Sequence, residues 1–306
     1  MSPQATSPQP APHLPVMSGE VLSYLDVRPG RRYIDCTVGA GGHAAAILSA
    51  SAPDSRLLGL DADPEAIAEA QRRLASFGDR VTLVQRYFDE VTDVAADAGF
   101  IAVDGLLCDL GVSSMQLDRP QRGFSFRQAG PLDMRFGPDA DRTAADIVNE
   151  YPEQELARIL YEFGDERRSR RIARRIVEQR PLHSTLDLAK AVEQAAGKGR
   201  KASSSSRVHP ATKTFLALRI AVNQELRRLG GLLARARGLL GFGSRLVILT
   251  FHSGEDRLVK RFLQDAARAQ QPTFRILTRK VVRPSAEEVQ RNPRSRSAHL
   301  RAAQAL

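Results

Sequence analysis

Four aspartates and two histidines of this 306-residue chain stand at the ends of short apolar runs: Asp35, Asp61, Asp63, Asp109, His43 and His252. The first run passes through Tyr33-Ile34-Asp35-Cys36-Thr37-Val38 into Gly39-Ala40-Gly41-Gly42-His43. Strand, glycine-rich turn and helix, in that order, cradle a nucleotide-bearing cofactor. Glycines let the backbone approach the ligand, and a helix N-terminus offers free N–H groups. Two cofactor classes compete for the turn. Gly39 to Ala44 matches the G-x-G-x-x-A dinucleotide pattern, with Asp61 following strand two, as in an NAD-dependent oxidoreductase. Against it, Asp35 and Asp63 would repel a pyrophosphate, and no hydride-transfer constellation stands out. S-adenosylmethionine has no phosphate and presents cationic sulfonium and ammonium groups, so the same acids attract it. Asp35 then faces the cation, Asp61 accepts both ribose hydroxyls, and Phe88 offers an apolar face to the adenine. Each has a plainer reading beside it: Asp35 as a turn residue, Asp61 as a helix cap, Phe88 as core.

Two further polar clusters follow apolar runs. One is Cys108-Asp109-Leu110-Gly111-Val112-Ser113-Ser114-Met115-Gln116, and the other is Phe251-His252-Ser253-Gly254-Glu255-Asp256-Arg257. Ligands of open parallel sheets bind beyond the carboxyl ends of the strands, so Asp109 is placed to face both cofactor and methyl acceptor. His252, with three charged neighbours, is the second candidate for chemistry.

The elements that must position these residues are legible from periodicity. Strands are expected over 32–37, 56–60, 80–84, 105–109 and 245–251, with helices between them, and this alternation implies a parallel sheet. From about 117 to 211 the pattern reads as wholly helical, with Leu156, Ile159, Leu160 and Phe163 on one stripe. A long helix is expected over 212–229, and 274–282 with 298–302 suit an antiparallel closing pair. The fold class is therefore α/β: a Rossmann-like sheet with an inserted all-helical subdomain. The expected division is a tail over 1–12, a discontinuous catalytic domain over 13–118 and 212–306, and the insertion over 119–211.

Hydrophobic residues at 42% supply a core, and no apolar run is long enough to span a membrane. The segment 1–13 lacks the charged and apolar regions of a secretory signal. Cys36 and Cys108 lie in apolar runs and read as buried reduced thiols of a cytoplasmic protein, and no Cys/His cluster has metal-ligand spacing. Residues 1–118 hold 8 Lys/Arg against 16 Asp/Glu, whereas 212–306 hold 19 against 6. A basic body on an acidic cofactor half points to a polyanionic partner, nucleic acid ahead of membrane. Arg170, Arg171 and Arg174 on one helix, with Lys198, Arg200 and Lys201 in a basic loop, are the candidate phosphate contacts.

Eight motifs then occur in order. They are Asp35…Gly39-x-Gly-Gly-His43, Asp109-Leu-Gly-Val-Ser-Ser-x-Gln-Leu-Asp118, Arg122-Gly-Phe-Ser-Phe126, Gly130-Pro-Leu-Asp-Met-Arg135, His209-Pro-Ala-Thr-x-Thr-Phe215, Arg219…Val222-Asn223-x-Glu-Leu226, Phe251-His-Ser-x-Glu-Asp-Arg257 and Asn292-Pro-Arg-Ser-Arg-Ser297. From about His13 to Ala302 the chain closely resembles the bacterial small-subunit rRNA cytosine-N4 methyltransferase family. The resemblance implies a class I methyltransferase that uses S-adenosylmethionine to modify N4 of a cytidine in the decoding region of 16S rRNA. It implies cofactor contacts at Gly41, Gly42, His43, Asp61, Phe88, Asp109 and Gln116, and an inserted domain that helps bind RNA. Gly254 departs from the bulkier apolar residue usual at its position, and the segment before the last motif is shorter than in some relatives. A non-catalytic RNA-binding assembly protein that keeps a degenerate cofactor fold is the alternative from another class.

Overall fold

The computed structural model describes residues 15–196 and 209–306. The expected tail over 1–12 and the basic loop Lys198–Arg207 lie outside the described residues. The first half alternates as its periodicity predicts. Helix α1 (Ser18–Leu25) precedes strand β1 (Arg32–Asp35), and the glycine turn opens α2 (Gly42–Ala50). Strand β2 (Arg56–Asp61) leads into α3 (Pro64–Leu74). There Asp63 Oδ1 accepts from the Glu65 N–H at 3.0 Å and Pro64 takes the first helical position, two independent start signals. Strand β3 (Val81–Gln85), helix α4 (Val91–Asp97) and strand β4 (Val103–Asp109) complete this half.

Helices α5 (Ser114–Asp118), α6 (Ala144–Glu150), α7 (Glu153–Gly164), α8 (Ser169–Glu178), α9 (Thr185–Ala196) and α10 (Thr212–Asn223) follow. They are not continuous: between Gly123 and Thr143 the chain is irregular, contrary to the wholly helical expectation. Gly130-Pro131 and Gly137-Pro138 break the helix, and Gly123 adopts a φ of 73° that other residues resist. Helices α6 to α10 share a core of their own, including Ile147, Leu156, Leu160, Ile172, Ile176 and Leu188, to which α10 adds Phe215, Leu218 and Val222.

The single helix expected over 212–229 is two. Gln224 sits at φ 51° and separates α10 from α11 (Glu225–Leu239). The apolar register runs across the break, so periodicity alone does not reveal it. Strand β5 (Leu240–Thr250), α12 (Ser253–Arg268), β6 (Phe274–Ile276), α13 (Ala286–Arg291) and β7 (His299–Ala305) close the chain.

The seven strands are ordered β3-β2-β1-β4-β5-β7-β6. The first five run parallel, and β7 is antiparallel to both β5 and β6, as the closing pair required. Period two divides the strand residues between two faces. Ile34, Leu58, Leu106 and Ile248 pack with Val94, Leu232 and Val259 of α4, α11 and α12. Tyr33, Leu57, Leu107 and Val247 pack with Val21 and Ile47 of α1 and α2. Each such fully buried large side chain contributes about 1.5–3 kcal/mol, so the apolar runs are committed to the sheet on both faces. Chain order reverses between β1 and β4, which opens a crevice at their carboxyl ends. Among the described residues no helix is long and apolar enough to cross a membrane.

Candidate active site

The crevice is built by short polar ties between strand ends. The Asp109 N–H at the end of β4 donates to Thr37 Oγ1 just past β1 at 2.7 Å. The Gly39 N–H donates to Asp61 Oδ2 at 2.8 Å and the Asp63 N–H to Asp61 Oδ1 at 2.9 Å, which holds the glycine turn against the end of β2. Gly41 has φ 79°, and a Cβ there would press on Leu74 at 3.2 Å, so this glycine serves the turn and its packing. Gly42 opens α2 and faces the cavity.

A cavity of about 790 Å³ fills the crevice. It brings together Gly42, His43, Asp61, Phe88, Asp109 and Gln116 from four separate stretches of chain. Asp35 and Gly41 are not among its lining residues. Asp35 lies behind the wall instead, 1% exposed, with Oδ1 accepting from the Thr37 N–H at 3.1 Å. It pairs in register with Gly59 and Leu107, two residues short of Asp61 and Asp109 on the same face of the sheet, so it lies deeper, under the turn rather than in the crevice. Burial pushes its carboxyl up to about 7, against the pull of nearby His43. Burial also pushes Asp61 up to about 6, although backbone N–H groups favour its charged form.

His43 Nε2 lies 3.4 Å from Asp109 Oδ2. Burial works against an imidazolium here, but the Asp109 and Asp35 carboxylates outweigh it and raise the His43 pKa. Four buried polar atoms of this corner have no hydrogen-bond partner: Asp35 Oδ2, both His43 ring nitrogens and Asp109 Oδ1. Of these residues His43 and Asp109 line the cavity, so a cationic, hydrogen-bonding ligand there would meet an acidic corner. Gln116 is committed at both ends of its amide, with Oε1 accepting from the Ser113 N–H at 3.0 Å and Nε2 donating to Asp63 Oδ2 at 2.9 Å. Its flank therefore faces the cavity. Arg122 donates to the same Asp63 Oδ2 at 2.7 Å and to the carbonyls of Arg135 and Phe136, and so pins the irregular 123–143 segment to the cap of α3.

Phe124, Phe126, Phe136, Phe215 and Phe251 line the cavity. Phe126 meets Phe215 edge to face at 4.9 Å, and Phe124 stacks on Phe136 at 5.6 Å. Within the same lining is a polar end formed by Arg219, Glu225, His252 and Glu255. His252 caps α12: its Nδ1 accepts from the Gly254 and Glu255 N–H groups at 3.2 and 3.4 Å. The proton of the neutral ring is then on Nε2, which sits 3.2 Å from Glu255 Oε1. The second polar cluster of the sequence is thus split. Glu255 turns inward, whereas Asp256 turns to β7 and pairs with Arg301 at 2.6 and 3.0 Å.

Glu225, His252 and Glu255 bring ligand-type atoms within 4.8 Å of one another, a grouping that sequence spacing did not show. The cation among them is Arg219, whose Nε and Nη2 donate to the two Glu225 oxygens at 2.7 and 2.8 Å. Arg219 and Glu225 lie within a motif of the sequence, but only the break at Gln224 folds one onto the other. Cys36 and Cys108 are free and buried, and burial pushes both thiols up, so neither has thiolate character.

Arg170, Arg171 and Arg174 are exposed on α8, opposite its buried Ile172, Ala173 and Ile176, with Arg174 Nε 3.7 Å from Glu153. None of the three lines the cavity. Arg73, Arg127 and Arg294 do, and Arg294 donates to Asp118 Oδ1 at 2.6 Å. Lys198, Arg200 and Lys201 lie outside the described residues.

Comparison with known proteins gives this geometry a setting. The family model described as the MraW methylase family matches residues 10–306. Ribosomal RNA small subunit methyltransferase H of Dehalococcoides mccartyi (strain ATCC BAA-2100 / JCM 16839 / KCTC 5957 / BAV1) is 50% identical over 308 residues, covering 96% of this chain and 87% of the relative. The protein of that name from Syntrophobacter fumaroxidans is 49% identical and covers 95% of each chain. The one from Thermomicrobium roseum is 47% identical and covers 96% of this chain and 94% of its own.

Proposed function

We propose, from the premise that this chain belongs to the MraW methylase family, that it methylates the exocyclic N4 of a cytidine in the decoding region of 16S rRNA. Its methyl donor is S-adenosylmethionine, and family membership replaces the dinucleotide alternative. The observation that carries the reading is the meeting of Asp109 with Asp61, His43 and an aromatic-walled cavity at the β1–β4 switch point. The relatives named above are small-subunit rRNA methyltransferases, and a chain with 19 Lys/Arg against 6 Asp/Glu over 212–306 suits an RNA substrate. The expected setting is the cytoplasm, on the small ribosomal subunit or its assembly intermediate.

Bound in this crevice, S-adenosylmethionine supplies an electrophilic methyl group beside two carboxylates. Asp61 faces the cavity with lone pairs left over from its backbone bonds, which suits two ribose hydroxyls. Phe88 gives the adenine an apolar neighbour. Asp109, held by its backbone bond to Thr37 and with Oδ2 3.4 Å from His43, lines the cavity with a partly exposed carboxylate that can accept a proton from an incoming amine. Cytosine N4 is a weak nucleophile, because its lone pair is delocalised into the ring. Alignment and an acceptor for its N–H are what the site has to provide. The target base must leave its stack to enter, and the phenylalanine walls offer it replacement contacts.

Transfer of labelled methyl to small ribosomal subunits, followed by nucleoside analysis, tests the reading. N4-methylcytidine in the product is the expected outcome, and label in any other nucleoside overturns it. Single-turnover rates of Asp109→Asn and His252→Ala, with cofactor affinity measured separately, divide the chemical role between them. His252 is the weaker candidate, because its Nδ1 is used in capping α12.

A further inference from the structure

We propose that Arg219, locked in place by Glu225, reads the Watson–Crick edge of the target base and is the residue that makes the cavity specific for cytosine. The inference rests on the cytosine-N4 reading above and adds the recognition element to it. A guanidinium presents its donors along more than one edge. In Arg219 the Nε/Nη2 edge is consumed by the two Glu225 oxygens, at 2.7 and 2.8 Å. Its outer end, made of Nη1 and the second Nη2 hydrogen, is not: among the described residues nothing accepts from Nη1. Arg219 lines the cavity, so that free fork is at hand to whatever enters it.

A flat base bound between the phenylalanines meets this fork edge-on. Cytosine has two adjacent acceptors, O2 and N3, on the edge that also bears N4. A planar fork with two parallel N–H groups matches that pair. Adenine offers an amine and one ring acceptor but has C2–H where cytosine has O2, so it loses a bond. Uracil presents an N3–H to a cation that has only donors. Engaging O2 and N3 fixes the in-plane rotation of the ring, and N4 then projects at a set angle.

The surroundings show that the orientation of Arg219 is maintained at a cost. Gln224 holds a left-handed conformation without being glycine, at φ 51°, and this break brings Glu225 back over Arg219. Asn223 secures the break, accepting from the Phe136 N–H and donating to the Met134 carbonyl, each at 2.7 Å. Glu225 is 6% exposed and spends both oxygens on Arg219, so it acts as a positioning residue. Burial works against charge on Arg219, and Glu225 with Glu255 keeps it protonated.

The test is single-turnover methylation of reconstituted small subunits that carry cytidine or 3-deazacytidine at the mapped target. The deaza base lacks the N3 acceptor and keeps the amine. In the unaltered protein the deaza base should react about 10- to 100-fold more slowly, the loss of one hydrogen bond from a charged donor. Arg219→Lys keeps a cation beside Glu225 and loses the fork. It should slow the natural substrate and reduce the deaza penalty to about twofold or less, with S-adenosylmethionine affinity by calorimetry unchanged. Glu225→Gln, which frees the guanidinium to turn, should also shrink the penalty. Equal rates on both bases in the unaltered protein, or an equal penalty in protein and variants, overturn the inference. The unaltered protein on natural subunits separates the two readings. Absence of N4-methylcytidine sinks the proposed function, whereas its presence with no deaza penalty sinks the role of Arg219 alone.

Discussion

His43 Nε2 and Asp109 Oδ2 stand 3.4 Å apart, and the two residues come from the first helix after β1 and the end of β4. The contact joins the glycine turn to the candidate acceptor. Removing the imidazole in His43→Ala leaves Asp109 without its ring neighbour in a buried corner. We expect the affinity for S-adenosylmethionine, read by calorimetry, to fall about 2- to 10-fold, the scale of one net polar interaction. An unchanged dissociation constant would refute the coupling.

Asp109→Asn keeps the shape and removes the acceptor charge. The single-turnover rate on small subunits should fall at least about 100-fold, in the range of one lost general-base contribution. Cofactor affinity measured on the same variant should change less than the rate. A variant with normal chemistry and poor cofactor binding would place Asp109 on the cofactor instead.

The acids predict a pH dependence of known sign. Asp61, raised to about 6, must be ionised to favour a cationic ligand, so cofactor affinity should weaken as pH falls through 6. Asp35, raised to about 7, acts on stability. Its unfolded carboxyl titrates near 3.9, so between about pH 4 and 7 the native state holds the extra proton and stability falls as pH rises. Asp35→Asn should flatten that slope by up to about 1.4 kcal/mol per pH unit in urea unfolding. A slope identical in protein and variant would rule this out.

Replacing Arg170, Arg171 and Arg174 together by Gln tests the α8 face. If these side chains touch phosphates, rRNA binding weakens and the slope of log affinity against log salt falls by about 2 to 3. An unchanged slope assigns the face to solvent and leaves Arg127 and Arg294, on the cavity wall, as the cations to test next.

Asn223→Ala removes two 2.7 Å hydrogen bonds to the backbone of the irregular segment. We expect a loss of about 2–4 kcal/mol in denaturant unfolding, since the Phe136 N–H and Met134 carbonyl are left unpaired. A loss below about 0.5 kcal/mol would show that water replaces the amide.

Much of the sheet was readable in advance, because strands buried on both faces need long apolar runs. Leu57 to Leu60 and Leu106 to Cys108 announce themselves in that way. Asp109 was readable for the same reason, as the polar residue that ends such a run. The break at Gln224 was hidden, because its cause is a tertiary contact, Asn223 with the segment over 134–136, and the flanking apolar register continues past it. The placement of Asp35 was lost to register between strands. It pairs with Gly59 and Leu107, two residues short of Asp61 and Asp109, and so lies below the crevice that those two line. The polar end of the cavity was illegible as a unit, since Arg219, Glu225 and Glu255 meet only after α11 and α12 have packed on the sheet.

The irregular segment after α5 has a bearing on heredity. A Cβ at Gly123 would overlap the Pro131 carbonyl, one at Gly130 would overlap that of Pro120, and one at Gly137 would come within 2.5 Å of the Ala62 oxygen. Loops are ordinarily where a lineage accumulates change, yet here backbone abuts backbone on three sides and leaves no room for even a methyl group. In a saturation mutagenesis library scored for survival, these three codons should be as intolerant as the centre of β4, while exposed helical positions such as Gln154 drift freely in sequence. Selection would then mark as rigid a stretch that has neither helix nor strand.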